Sequence, residues 1–222
     1  MNYQIIRLFP REEAACTVRQ LEQCDFADGK MTASGHARDV KHNLQLRPDK
    51  PEFSALAKQL FTAFQRSPEF HSFAIPRRLA SPIFSRYDPG MNYGSHVDNA
   101  FMGGTGGIRS DLSVTVFLSP PDTYDGGELV IEMTLGEQEI KLDAGEAVVY
   151  PSSSVHHVAP VTRGVRLAAV TWVQSAVRDE RVRGILYDLS QSSRHPDVAR
   201  NPELSLLMSK SYHNLLRYAA DV

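Results

Sequence analysis

Three side chains able to hold a metal ion stand where extended backbone can bring them together: His96, Asp98 and one of the adjacent pair His156 and His157. Side chains alternate across a strand, so the imidazole and carboxylate of His96-Val97-Asp98 point the same way and can share one ion. Two histidines and a carboxylate on one face of an octahedron leave three positions open, the donor set expected of a non-haem iron(II) oxygenase. Imidazole also suits zinc and copper, so the donor types alone favour iron only modestly. The order H-x-D by itself is a weak signal, met in surface turns as well. Arg166 adds to it, entering a β-prone run after the turn at 160–164. A guanidinium inside a folded core is costly unless a carboxylate meets it, and its planar fork suits the distal carboxylate of a dicarboxylic acid. Tyr87, on the run before the H-x-D, is a candidate second contact to that acid, as are the hydroxyls of Ser113 and Thr115.

Groups so far apart in the chain need a frame of short strands to converge. From residue 83 the sequence provides one, with β-prone runs at 83–87, 112–118, 128–132, 139–142, 147–150, 155–158 and 166–173. Turns rich in aspartate and glycine separate them, at 88–90, 125–127, 143–145 and 163–164, which makes antiparallel pairing the economical arrangement. The expected class is mixed, mainly β, as a sandwich or barrel. Before it lie a strand at 3–8, a helix opened by Pro10 with Glu12 and Glu13 in its first turn, an alternating stretch at 40–46 and a helix at 51–66. After residue 174 the spacing turns helical again, and the last helix starts at Asn201-Pro202. We therefore divide the chain into an N-terminal support at 1–77, a catalytic core at 78–177 and a helical extension at 178–222. The apolar stripe of that extension, Leu204, Leu207, Met208, Leu215 and Leu216, packs on the core or joins two copies in a homo-oligomer.

Bulk properties exclude other classes. With 24 basic against 26 acidic residues, the chain has no charge excess to suggest a nucleic-acid partner. No apolar run approaches the roughly 20 residues of a membrane span, and the first residues lack a signal-peptide pattern, so a cytoplasmic location is expected. Two cysteines, Cys16 and Cys24, are too few for a disulfide framework and read as reduced thiols.

Several segments resemble the bacterial PKHD-type hydroxylases, which are related to prolyl hydroxylases and often associated with iron uptake. The segments at 86–91, 93–100, 124–129, 150–156, 160–166 and 172–175 carry the likeness within the core; those at 28–33, 40–43 and 212–217 carry it outside. The resemblance implies a double-stranded β-helix (jelly roll) barrel, with iron(II), 2-oxoglutarate and L-ascorbate. It also implies His96, Asp98 and His156 as metal ligands and Arg166 as the co-substrate anchor. Spacing cannot choose between His156 and His157; the family pattern selects His156, which follows Ser154-Val155. The implied reaction is hydroxylation of a small-molecule or peptidyl substrate with release of succinate and carbon dioxide. Animal prolyl hydroxylases have a co-substrate tyrosine on the strand where this chain reads Val116-Phe117-Leu118, a departure that leaves the second contact open. Two other classes fit the same residues. One is a cupin-type metalloenzyme that does not use 2-oxoglutarate; the other is a non-catalytic iron and 2-oxoglutarate sensor. The glycine-rich loop at 101–108 reads as a substrate lid.

Overall fold

The computed structural model describes residues 3–104, 106–134 and 136–221, and in it the β-prone runs form antiparallel strands. The N-terminal part contains β1 (Gln4–Arg7), α1 (Arg11–Glu22), β2 (Phe26–Asp28), α2 (Gly35–Asp39), β3 (Lys41–His42) and β4 (Leu44–Leu46). Two helices follow, α3 (Pro51–Arg66) and α4 (Pro68–Ala74). The central part runs through β5 (Pro76–Leu79), β6 (Ile83–Tyr87), β7 (Asn92–His96), β8 (Phe101–Met102), β9 (Ile108–Arg109) and β10 (Leu112–Phe117). It continues through β11 (Asp125–Gly126), β12 (Leu129–Met133), β13 (Gly136–Ile140), β14 (Glu146–Pro151), β15 (His156–Val158), β16 (Val161–Arg163) and β17 (Arg166–Ser175). Helices α5 (Glu180–Ser193), α6 (Pro196–Ala199) and α7 (Pro202–Ala219) end the described chain.

Among the described residues, an eight-stranded sheet has the order β1-β14-β10-β17-β6-β4-β2, with β5 also paired to β17. A five-stranded sheet has the order β13-β12-β15-β7-β3. The two pack face to face: Tyr87, Phe117, Val148 and Tyr150 of the larger sheet meet Leu129, Ile131, Ile140 and Val158 of the smaller in one buried cluster. The opposite face of the larger sheet, with Phe84, Val114, Val116, Val149 and Ala169, packs on Leu21, Phe53, Leu56, Phe64 and Phe70 of the helices. Both faces being covered, β10 is buried at every position, yet its alternation survives. Leu112, Val114 and Val116 enter the helix-side core, which turns Ser113 and Thr115 toward the other sheet.

The barrel is not closed. Each sheet keeps free ends among the described residues, β1 and β2 in the larger and β13 and β3 in the smaller, so the architecture is two packed open sheets with helices on the outer face. The stretch at 40–46 does not form one strand, because β3 pairs with β7 in the smaller sheet and β4 with β6 in the larger. Asn43 lies at the crossing point between the sheets. At the other end, α5 is capped by Asp179, whose carboxylate accepts from the backbone of Arg181 and Val182, and it buries Leu186. Helix α7 starts at the Asn201 cap that the sequence predicts and lies along α5 with no residue fully buried. Its Leu206, Leu207 and Tyr218 stay exposed. Cys16 and Cys24 are unpaired. No helix of the described residues is long and apolar enough to cross a membrane.

Candidate metal and co-substrate site

His96 ends β7, and Asp98 follows just beyond the strand. Strand β15 lies antiparallel to β7 with His156 directly opposite His96. One ligand atom from each of His96, Asp98 and His156 falls within 4.8 Å of the others. His156 Nε2 and Asp98 Oδ2 are 3.8 Å apart, within the span of about 4.2 Å available to two ligands each about 2.1 Å from one ion. His96 Nδ1 lies 2.8 Å from the Gly94 carbonyl and His156 Nδ1 lies 3.0 Å from the Ser154 carbonyl. A carbonyl can only accept, so each Nδ1 carries the proton and each Nε2 keeps its lone pair for a metal. Burial, and then the neighbouring His156, pushes the His96 imidazole down to about 4, so it is neutral at physiological pH. Tyr93 stacks on the His96 ring at 3.7 Å and fixes its plane, while Tyr150 meets His156 edge-on at 5.2 Å.

The Asp98 carboxylate has its own support. Ser113 Oγ donates to Asp98 Oδ2 at 2.5 Å, and with that proton committed, Ser152 Oγ donates to Ser113 at 2.8 Å. Ser113 is thereby tied to the candidate metal ligands and does not reach Arg166. His157, the other member of the pair, is opposite Val130 on β12, is only partly buried, and takes no part in the cluster.

Arg166 opens β17 directly opposite Tyr87 on β6. It is 1% exposed, and neither Nε nor Nη2 has a hydrogen-bond partner among the described residues. The guanidinium carbon sits 5.1 Å from the Tyr87 ring and 5.3 Å from the Phe117 ring. Phe117 thus faces the guanidinium as an apolar plate. Tyr124, whose hydroxyl is buried without a partner, lies near enough to feel the Arg166 charge. Burial raises the phenols of Tyr87, Tyr124 and Tyr150, so each keeps its O–H as a donor. Gly127 makes the space: it has φ +67°, and a Cβ there would come within 2.9 Å of Arg166 Cδ and of Val161. A buried guanidinium with two orphaned nitrogens among aromatic plates has the chemistry to receive a carboxylate.

These groups share one cavity, lined by His96, Asp98, His156 and Arg166, with Tyr87, Thr115 and Tyr150 also in its wall. The residue types present fit iron(II) and a 2-oxo dicarboxylate. The sequence pattern singled out His96, Asp98, His156, Arg166 and Tyr87, and all five come together. It did not identify the supporting roles of Ser113, Ser152, Tyr93 and Tyr124, because nothing local marks a contact across two sheets. In the loop at 101–108 β8 pairs antiparallel with β9, and Met102 is on the cavity wall; Thr105 lies outside the described residues.

Residues 82–174 match the family model of the 2OG-Fe(II) oxygenase superfamily. A PKHD-type hydroxylase of Pseudomonas putida (strain W619) is 46% identical, with the alignment covering all of both chains. One from Xanthomonas campestris pv. campestris (strain 8004) is 45% identical over 91% of this chain and 92% of its own. Among solved structures, the viral collagen prolyl hydroxylase of Paramecium Bursaria Chlorella virus-1, determined as a 2OG complex, superposes with a TM-score of 0.54. It is 17% identical, over 79% of this chain and 97% of that one, a likeness of fold. Sequence identity of this extent, over the whole length, makes the chain a member of the PKHD-type hydroxylases within the 2OG-Fe(II) oxygenase superfamily, an enzyme of the dioxygenase class.

Proposed function

We propose that the protein hydroxylates a small-molecule or peptidyl substrate at a centre in which His96, Asp98 and His156 hold iron(II) and Arg166 holds the distal carboxylate of 2-oxoglutarate. The observation that carries this reading is the convergence of three metal-competent side chains and an unpaired, buried guanidinium on one cavity. Once bound, the metal and keto acid would supply oxidation of a substrate C–H bond by dioxygen, one oxygen atom entering the substrate as hydroxyl and the other entering succinate as 2-oxoglutarate loses carbon dioxide. The chain's own residues orient and shield. The Gly94 and Ser154 carbonyls hold the imidazole tautomers, and Ser113 aims the carboxylate. Tyr87, alongside Arg166 and with its proton retained, is the second contact to the distal carboxylate. Leu129 and Val158 give the cavity apolar walls that keep water from the reacting atoms.

This reading takes the facing sheets as a double-stranded β-helix jelly roll. Residues 78–177 form its catalytic core, 1–77 its support and 178–222 its helical extension. From the family resemblance it also takes L-ascorbate as the reductant and a link to iron uptake, and from the sequence reading a cytoplasmic location. Association of two copies through the exposed side chains of α7 belongs to the same reading.

Purified protein given iron(II), ascorbate and 2-oxoglutarate should release succinate slowly without any added substrate. Complete absence of succinate, with both ligands demonstrably bound, would replace the enzyme reading with that of a sensor. Ser113→Ala should weaken iron(II) binding by roughly 10- to 100-fold, because the carboxylate loses the donor that orients it. An anaerobic iron titration indistinguishable from wild type would remove Ser113 from that role.

A further inference from the structure

A second cation lies in the same cavity, unused by the arrangement above. Lys41, on β3, is 4% exposed and lines the cavity, yet no carboxylate forms an ion pair with it among the described residues. Its ammonium donates to Thr32 Oγ1 at 2.9 Å and lies 5.0 Å from the Tyr93 ring. Thr32 in turn donates to Gln45 Oε1 at 2.6 Å, so the hydroxyl is turned to present its oxygen to the lysine. Burial pushes the Lys41 ammonium down to about 8, against the pull of Asp98 and Asp28, so at neutral pH most molecules carry the charge. Two further polar groups in the cavity wall have no hydrogen-bond partner among the described residues: the side-chain amide of the buried Asn43 and the indole N–H of Trp172. A buried ammonium beside unfilled hydrogen-bonding groups is costly unless an anion completes it.

Charge balance indicates which anion. In the reading proposed above, iron(II) and Arg166 are offset in full by Asp98 and the two carboxylates of 2-oxoglutarate. Lys41 then leaves the loaded cavity with one uncompensated positive charge. A single negative charge on the primary substrate cancels it, which suits a carboxylate; a phosphate dianion would overshoot. Lys41 also stands beside Tyr93 in the smaller sheet, whereas Arg166 lies between Tyr87 and Phe117 in the larger, so each cation has its own surroundings.

We propose that Lys41, held by Thr32 and Gln45 and assisted by Asn43, is the anion-recognition residue of the substrate subsite and selects a primary substrate bearing one carboxylate. The inference rests on the iron and 2-oxoglutarate reading of the site. It deepens that reading by naming the substrate's chemical class. The apolar Ile83 and Val170 in the same wall would take the substrate's hydrocarbon part.

The test uses the full chain loaded with iron(II) and 2-oxoglutarate and two matched probe sets, N-acetyl amino acids and the corresponding N-acetyl amino acid amides. Succinate release above the probe-free rate is measured for each pair, with the probe gaining one oxygen in mass. Wild type should favour the acids by about tenfold or more, the discrimination expected when a buried charge loses its partner. Lys41→Met should bring the acid-to-amide ratio close to one. Anaerobic 2-oxoglutarate binding by Lys41→Met checks that it has folded. If it does not bind, the ratio is read instead in Thr32→Val, which keeps the ammonium and removes its anchor, and which should lower the ratio. Equal response to acids and amides, preference for amides, no response to any acid, or an unchanged ratio in the variant used would overturn the proposal. If wild type releases no succinate at all with both ligands bound, the underlying hydroxylase reading fails instead.

Discussion

Replacing His156 by alanine is expected to abolish iron-dependent succinate formation, while replacing its neighbour His157 leaves most of it. On a strand, adjacent side chains point to opposite faces, so only one of the two can enter the space between the sheets. His156 is the one that enters: it is 5% exposed, is paired across the ladder with His96, and has its Nε2 3.8 Å from Asp98. His157 faces the other way and is only partly buried. Loss of a direct ligand should cost more than the roughly 100-fold that loss of a supporting partner costs. Succinate formation at saturating iron measures both variants, and thermal melting shows whether the packing of His156 on Tyr150 and His96 was needed for folding. The reverse outcome, with His157→Ala inactive and His156→Ala active, would falsify the ligand assignment.

Arg166→Ala should raise the dissociation constant for 2-oxoglutarate by an amount worth about 2–5 kcal/mol, the cost of leaving a desolvated carboxylate without its partner. That corresponds to roughly 30-fold at the low end. Iron binding in the absence of the keto acid should change little, since Arg166 is outside the cluster of candidate ligands. Because the guanidinium also packs between the Tyr87 and Phe117 rings, alanine removes a plate of contact along with the charge. Arg166→Lys separates the two, keeping the charge but losing the fork and much of the stacking, and should fall between wild type and alanine. An anaerobic titration giving an unchanged 2-oxoglutarate dissociation constant in Arg166→Ala would assign the distal carboxylate to another residue.

Much of this could be read in the chain by itself, because the signals concerned are local. The helix expected at 51–66 forms over Pro51–Arg66, with proline in its first turn and Leu56, Leu60 and Phe64 on its buried face. The run at 83–87 becomes β6, and Asn201 caps α7 as its side chain and the following proline predict. Helical and strand periods, turn glycines and caps depend on residues a few positions apart, so the sequence records them directly. The short elements were less marked. Helix α4 has a local signal in the Ser67 cap and Pro68, but its seven residues are too few to establish a period, and its left-handed end falls on Ile75 in place of glycine. The segment at 40–46 reads as one alternating stretch in sequence yet is divided between two sheets. The division depends on which partner each half finds, β7 or β6, and that choice is made by strands elsewhere in the chain.

The candidate site shows the same boundary. Residue type and spacing singled out a metal-competent set and Arg166 as the candidate anchor, and the family pattern favoured His156 over His157. Tertiary structure decided what surrounds them: Ser113 beneath Asp98, Tyr93 stacked on His96, Tyr124 near Arg166, and Lys41 buried without a counter-ion. Ser113, Tyr124 and Lys41 are ordinary residues in their own local sequence. They gain a role only when two sheets close on one cavity, because burial is what makes an unpaired charge costly and a single hydrogen bond consequential.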